Sequence, residues 1–241
     1  MQVDALAFGP HPDDVELGMG GTLLKLAALG HRTAIVDLTA GEMGTRGARA
    51  ERAVEAEEAA RILKAETRRT LDLGDGRLAV DLPNKVAVVE VIRELRPRLV
   101  FACHWDNVHP DHAAAGRLVA EAAYLAGLGR FEAKGEPHRP NRVLFYMPPH
   151  RLPPSFVVDV TDFYEERLRA VRAYRSQLFN ARSSEPATFI SRPDFLEEIE
   201  SAHRYYGSLI GAGRGEPFYL REALAIDDPL TFFTQPFTRF T

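Results

Sequence analysis

Over its first 125 residues the chain alternates four times between a short apolar run and a longer stretch of helical period, and no other feature restricts its fold as much. Residues 3–8 form a short apolar run broken only by Asp4, and residues 18–29 then carry Leu23, Leu24, Leu26 and Leu29 at helical spacing before Gly30. Residues 33–38 read as a second strand and residues 48–63 as a second helix, with Glu57 and Arg61 at i,i+4. Residues 69–73 read as a third strand. Pro83 opens a third helix through Val86, Val89 and Ile92 to Leu95, Pro97 stops it, and residues 99–103 supply strand four ahead of a helix over 110–125. Strands separated by such helices are βαβ units with right-handed crossovers. The expected fold is α/β: a Rossmann-like, doubly wound, mainly parallel sheet with helices on both faces and strand order 3-2-1-4-5.

Beyond Gly127 the pattern loosens. Residues 142–147 and 156–160 read as strands and residues 161–178 and 193–209 as helices, with Pro148, Pro149, Pro153 and Pro154 punctuating the connection. No repeat or linker divides the chain, so one domain is expected over residues 1–241, with a core at 1–180 and a C-terminal helical extension at 181–241. Apolar residues at 45% and charged residues at 27% are ordinary globular usage. Thirty basic against 34 acidic residues, a net charge of −4 with no run of like charge, argue against nucleic acid as a partner. Lys25, Arg93 and similar charges interrupt every apolar stretch short of the ~18 residues of a span, so no membrane is expected. Cys103 is the single cysteine, which excludes an internal disulfide and a multi-cysteine metal cluster; with no apolar leader, a cytoplasmic location is expected.

Gly9-Pro10-His11-Pro12-Asp13-Asp14 follows the first strand, and His109-Pro110-Asp111-His112 follows the fourth shortly after its end. In the doubly wound order those strands are neighbours at the point where the winding reverses, so both clusters converge on the crevice where open α/β sheets bind ligands. Two imidazoles and a carboxylate, His11, His112 and Asp14, form a hydrolytic zinc set with one position left for water. Asp13 stands between His11 and Asp14 and is free to act as a base, and His109 can stabilise an oxyanion. Iron, cobalt and manganese suit the same donors. A plainer role is open to these residues: Asp13-Asp14 can cap a helix beginning near Val15, and Asp111 favours a helix start at Pro110. Two such clusters on adjacent strands favour the metal reading.

Residues 41–47, with Gly41, Gly44 and Gly47, follow strand two at the same edge and form a candidate substrate loop, making Glu42 and Arg46 candidate contacts. An ordinary connection, with Arg46 and Arg52 solvated or paired with Glu, stays open. Gly18-Met19-Gly20-Gly21 lacks phosphate-loop spacing, and close helix-to-strand packing explains it better. No G-x-S-x-G elbow surrounds Ser176, Ser183 or Ser184. His31, His104, His138, His150 and His203 have weaker claims, His104 being near enough to support a ligand.

On the motifs HPDD at 11–14, GEMGTRG at 41–47 and HPDH at 109–112, the chain resembles the LmbE-like or PIG-L family of zinc-dependent N-deacetylases acting on N-acetylglucosamine conjugates. The resemblance implies one zinc per chain on His11, Asp14 and His112, Asp13 as general base, His109 polarising the amide, and Asp111 orienting His109. Within the family, AFGPHPDDVELGMGGTL, PHR at 137–139 and RYYGSLIG at 204–211 are similar to the bacillithiol-biosynthesis branch, which removes acetate from N-acetylglucosaminyl malate. That likeness implies Arg52 and Arg139 on the sugar or the malate carboxylates, a small-molecule amino-sugar conjugate as substrate, and a homo-oligomer. Other N-acetylglucosamine conjugates (a mycothiol precursor, a glycolipid, a chitin oligomer) and a non-catalytic sugar- or nucleotide-binding module are the competing readings. The region 183–195 lacks the pocket tyrosine that relatives imply, and Tyr205 and Tyr206 stay unassigned.

Overall fold

In the computed structural model, which describes residues 2–149 and 152–234, the alternation of the first half becomes four βα units. Strands β1 (Ala5–Gly9), β2 (Thr33–Asp37), β3 (Thr67–Thr70) and β4 (Leu99–Cys103) are followed by helices α1 (Asp14–Ala28), α2 (Arg49–Ile62), α3 (Leu82–Leu95) and α4 (Pro110–Ala126). The second half adds β5 (Arg142–Tyr146), β6 (Phe156–Asp159), α5 (Tyr164–Arg172), α6 (Phe195–Leu209), β7 (Gly215–Tyr219) and a short α7 (Pro229–Phe233). The strands make one sheet in the order β3-β2-β1-β4-β5-β7-β6, parallel from β3 to β5. Ala5 lies opposite Thr33 on one side and Leu99 on the other, so the winding reverses at β1 and β4. The expected fold class and order of the first five strands are thus observed.

Side chains alternating along the central strands divide the core into two layers. Leu6, Val36 and Val100 pack under α3 and α4 with Val88, Ile92 and Leu118, while Ala7, Ile35 and Phe101 pack under α1, α2 and α5 with Leu23, Ala59 and Ala170. Both faces are covered, which is why β1 and β2 hold no exposed residue. None of the described helices is long and apolar enough to cross a membrane.

Two expectations for the second half are corrected. Residues 181–241 do not form a purely helical extension: β7 inserts antiparallel between β5 and β6, making the C-terminal region part of the sheet. Its sequence, Gly-Glu-Pro-Phe-Tyr, hides a strand behind a charge and a proline. Pro217 is tolerated because β5 pairs only with Phe218 and Tyr219, leaving Pro217 past that ladder. The helix read over 161–178 stops at Arg172, after a 3-10 turn over Thr161–Phe163. Past its end, Ser176 gives its backbone N–H to Glu55, 2.7 Å away, and so is tied to α2.

Helix α1 is kinked at Met19, where φ is −154°. The N–H groups just past the kink, on Gly21 and Thr22, lose helical partners and are taken by Glu216 of β7 at 2.8 and 2.7 Å. Before the kink, Leu17 O accepts from Arg167 Nη2 at 2.6 Å. The small residues are required by this packing: a Cβ on Gly18 would stand 2.4 Å from the Tyr146 ring, and one on Gly21 2.8 Å from Val160. Close packing, as expected, accounts for these glycines.

Candidate active site

Four segments meet at the carboxyl edge beside the winding reversal: residues 10–13 between β1 and α1, the loop 41–47 after β2, residues 74–76 after β3, and the start of α4. His11, only 9% exposed, lies at their centre. Its Nδ1 is 3.2 Å from Asp14 Oδ2, and its Nε2 is 3.0 Å from Asp75 Oδ1 and 3.2 Å from Asp111 Oδ2. His112 Nε2 is 3.2 Å from the other oxygen of Asp14. Ligand-capable atoms of His11, Asp14 and His112 therefore fall within 4.8 Å of one another, near enough to share one ion; His11, His109 and Asp111 form an overlapping set.

The charge balance of the cluster fits a cation. Asp14, Asp75 and Asp111 contact His11, and Asp13 lies beside them with Arg52 Nη2 at 3.5 Å. Burial opposes a charge on His11, but Asp14 and Asp75 outweigh it and raise its pKa to about 11. Burial also acts against Asp14, yet His112 and His11 hold its carboxyl well below the usual range. The bond from His11 draws Asp75 down to about 2, whereas burial lowers His112. An oxygen- and imidazole-rich donor set with this excess of negative charge is chemically suited to a divalent ion.

Asp13 does not cap α1. Its side chain makes no hydrogen bond to the helix, and its backbone sits at φ 118°, ψ −27°, a left-handed conformation costing a non-glycine residue about 1–3 kcal/mol. The strain turns the carboxylate away from the helix start and toward Arg52. Burial pushes its carboxyl up to about 8 against the pull of Arg52. His109 is the cap of α4, with Nδ1 accepting the Asp111 N–H at 3.2 Å and its ring exposed 5.0 Å from that of His11.

The remaining expected site residues divide. Asp111 is 1% exposed, but its carboxylate does not orient His109: Oδ2 accepts from Gly76 N–H at 2.7 Å and Oδ1 from Leu78 N–H at 3.2 Å, because the 74–78 segment folds over it. Arg52 is at the site with its guanidinium turned to the protein, donating to Gly41 O at 3.0 Å and Pro12 O at 2.7 Å. Arg46 is buried against Ser176 O at 3.1 Å and pairs with Glu185, while Glu42 receives the Asp75 and Ala40 N–H groups. Arg139 is not brought to the site. It stacks on Tyr124 and donates to Tyr124 O near the C-terminus of α4, about 18 Å along the helix axis from His112 in its first turn.

Two residues at the cluster were not read from the sequence. Asp75 belongs to Gly74-Asp75-Gly76, a turn signal after the third strand that could have been placed at the same edge. Cys103 ends β4 with Sγ 3.5 Å from His112 Nδ1, a contact without a motif. His104 stacks on Trp105, His31 lies 4.0 Å from Asp4, His138 bonds Pro97 O and His203 bonds Ile199 O. His150 lies outside the described residues. Tyr206 is buried on α6 against Tyr205, which is exposed.

A family profile described as GlcNAc-PI de-N-acetylase, PIG-L, matches residues 6–123. The diacetylchitobiose deacetylase of Thermococcus kodakarensis is 36% identical over 187 residues, covering 71% of this chain and 69% of that protein. The probable N-acetyl-alpha-D-glucosaminyl L-malate deacetylase 2 of Bacillus anthracis is 32% identical over 165 residues, covering 58% and 73%. Among solved structures, a conserved protein from Thermus thermophilus superimposes with a TM-score of 0.84 at 40% identity, covering 94% of this chain and 98% of that one.

Proposed function

This chain belongs to the PIG-L family, whose relatives here are named deacetylases, and from that premise we propose that it hydrolyses the acetamido group of an N-acetylglucosamine-type sugar with a bound metal ion. The observation that carries the reading is the meeting of His11, Asp14 and His112 with Asp13 and His109 at one crevice. Zinc is the proposed ion, one per chain, since two imidazoles and a carboxylate leave a position open. When bound, it supplies Lewis-acid polarisation of the acetyl carbonyl and a water of lowered pKa.

Asp13 takes a proton from the attacking water, held in place by its strained backbone and by Arg52. His109, on the exposed rim, hydrogen-bonds the carbonyl oxygen as negative charge develops there. The C–N bond breaks, the proton passes from Asp13 to the departing nitrogen, and acetate and a free amine result.

For the finer choice of substrate, a neutral amino-sugar oligomer such as diacetylchitobiose is supported over N-acetylglucosaminyl malate. Arg139 lies at the far end of α4 and Arg52 bonds backbone carbonyls, so neither guanidinium is turned toward an added carboxylate. The likeness to the malate deacetylase keeps that conjugate as the second reading. A homo-oligomer in the cytoplasm completes the proposal, with light scattering as the check on assembly. The deciding experiment is mass-spectrometric detection of free amine from both compounds with zinc-loaded protein. Selective turnover of diacetylchitobiose is expected; selective turnover of the malate conjugate reverses the substrate choice, and no turnover of either by protein holding zinc sends the reading back to the other N-acetylglucosamine conjugates or to the binding module.

A further inference from the structure

Helices α2 and α5 pack side by side, and a groove of about 510 Å³ runs between their ends, with half-buried Ile62 and buried Ala173 in its lining. Its edges are rows of cations. Arg61 and Lys64 come from the end of α2, and Arg169, Arg172 and Arg175 follow at three-residue spacing along α5 and just past it. Like charges at such spacing repel, so the rows cost the helices stability. Lys64 moreover holds a left-handed conformation at φ 58°, where a helix end usually places glycine.

Two carboxylates line the same groove, and both are engaged. Arg175 Nη2 is 3.4 Å from Glu58, and Arg169 pairs with Glu166. The side chains of Arg61, Lys64 and Arg172 have no ion-pair or hydrogen-bond partner among the described residues, and all three are exposed. On a chain of net charge −4, five cations against two carboxylates is a local excess of the opposite sign.

That excess is separate from the His/Asp cluster, since Arg61 lies about 13 Å further along α2 than Arg52. No histidine, cysteine or hydroxyl group lines the groove, which suits holding a ligand rather than breaking a bond in it. Guanidinium forks match phosphate oxygens bidentately. The volume is that of a small-molecule site, with room beyond a lone phosphate. One phosphate ester brings about −1.5 to −2 of charge, less than the three free cations offer, whereas a diphosphate balances them.

We propose that the α2–α5 groove is a binding site for a small molecule bearing a diphosphate, held by Arg61, Lys64 and Arg172. Isothermal titration of zinc-loaded protein with ADP, inorganic pyrophosphate and a short single-stranded RNA tests it. The parent is compared with the double variant Arg61→Ala, Arg172→Ala and with Arg117→Ala, which removes one exposed cation from α4 across the sheet, each checked by circular dichroism. One saturable site per chain is expected for ADP and pyrophosphate, weakened at least about 10-fold in the double variant and unchanged in Arg117→Ala. Tighter binding of ADP than of pyrophosphate assigns a nucleotide, with its organic part over Ile62 and Ala173; equal affinities assign the free diphosphate. Parent-like affinity in the double variant overturns the proposal, because the anion then sits elsewhere, as on the metal. Absence of saturable binding by either diphosphate overturns it too, and RNA binding in that case assigns the groove to a polymer.

Discussion

Two clusters of buried charge lie on either side of the β1–α1 unit, and they use their bonding capacity in opposite ways. At the kink of α1, Glu216 and Arg167 are both wholly enclosed, with Glu216 accepting from Gly21 and Thr22, Arg167 donating to Leu17 O, and His203 Nε2 3.8 Å from Glu216. The bonds to Gly21, Thr22 and Leu17 repair a broken helix. At the carboxyl edge, Asp13, Asp14, Asp75 and Asp111 crowd around His11 beside an exposed His109. There the carboxylates outnumber the cations, and the neighbouring His109 is open to solvent. Burial of charge is common to both clusters; an unbalanced charge at the surface is what distinguishes a place for a ligand from a structural joint.

The contrast can be tested from both sides. Asp13→Ala should lower turnover by about 10²–10⁴-fold with zinc content unchanged, measured by amine release and metal analysis; loss of the metal instead would make Asp13 part of the holding set. Glu216→Ala should destabilise the fold by about 3–5 kcal/mol in urea unfolding, because it leaves Arg167 and two N–H groups buried without their partner. If the folded fraction of that variant binds zinc less tightly than the parent, the two clusters are not independent. Gly18→Ala should cost about 1–3 kcal/mol in the same assay, since its methyl would meet the Tyr146 ring.

The smallest effect concerns pH. Burial works to raise the Glu216 carboxyl, but His203, Arg167 and the Thr22 N–H outweigh it and hold it below its ordinary value of 4.5. A carboxyl lowered by folding stabilises the native state above its unfolded pKa, and that contribution is lost as pH falls through the folded value. The parent should therefore lose stability more steeply than Glu216→Gln below about pH 4.5, and parallel acid limbs would contradict the assignment.

Much of this was legible in the chain. The boundaries of β4, 99–103, and the start of α4 at Pro110 are where periodicity and proline put them. His11, Asp14, His109 and His112 were readable because short spacing holds each motif together and the winding order brings the two motifs side by side. Asp75 was not, since one carboxylate between two glycines reads as a turn; nor was β7, whose Glu216 and Pro217 defeat the strand pattern.

The sequence by itself determined the βαβ succession, the parallel sheet and the edge on which the two His/Asp motifs emerge, because hydrophobic period and helix stop signals act over a few residues. Only the tertiary structure decided the facing of Arg52, the distance of Arg139 and the partners of Asp111. Those depend on which backbone carbonyls and N–H groups lie within about 3 Å, and such contacts join residues far apart in sequence through packing that no local pattern encodes.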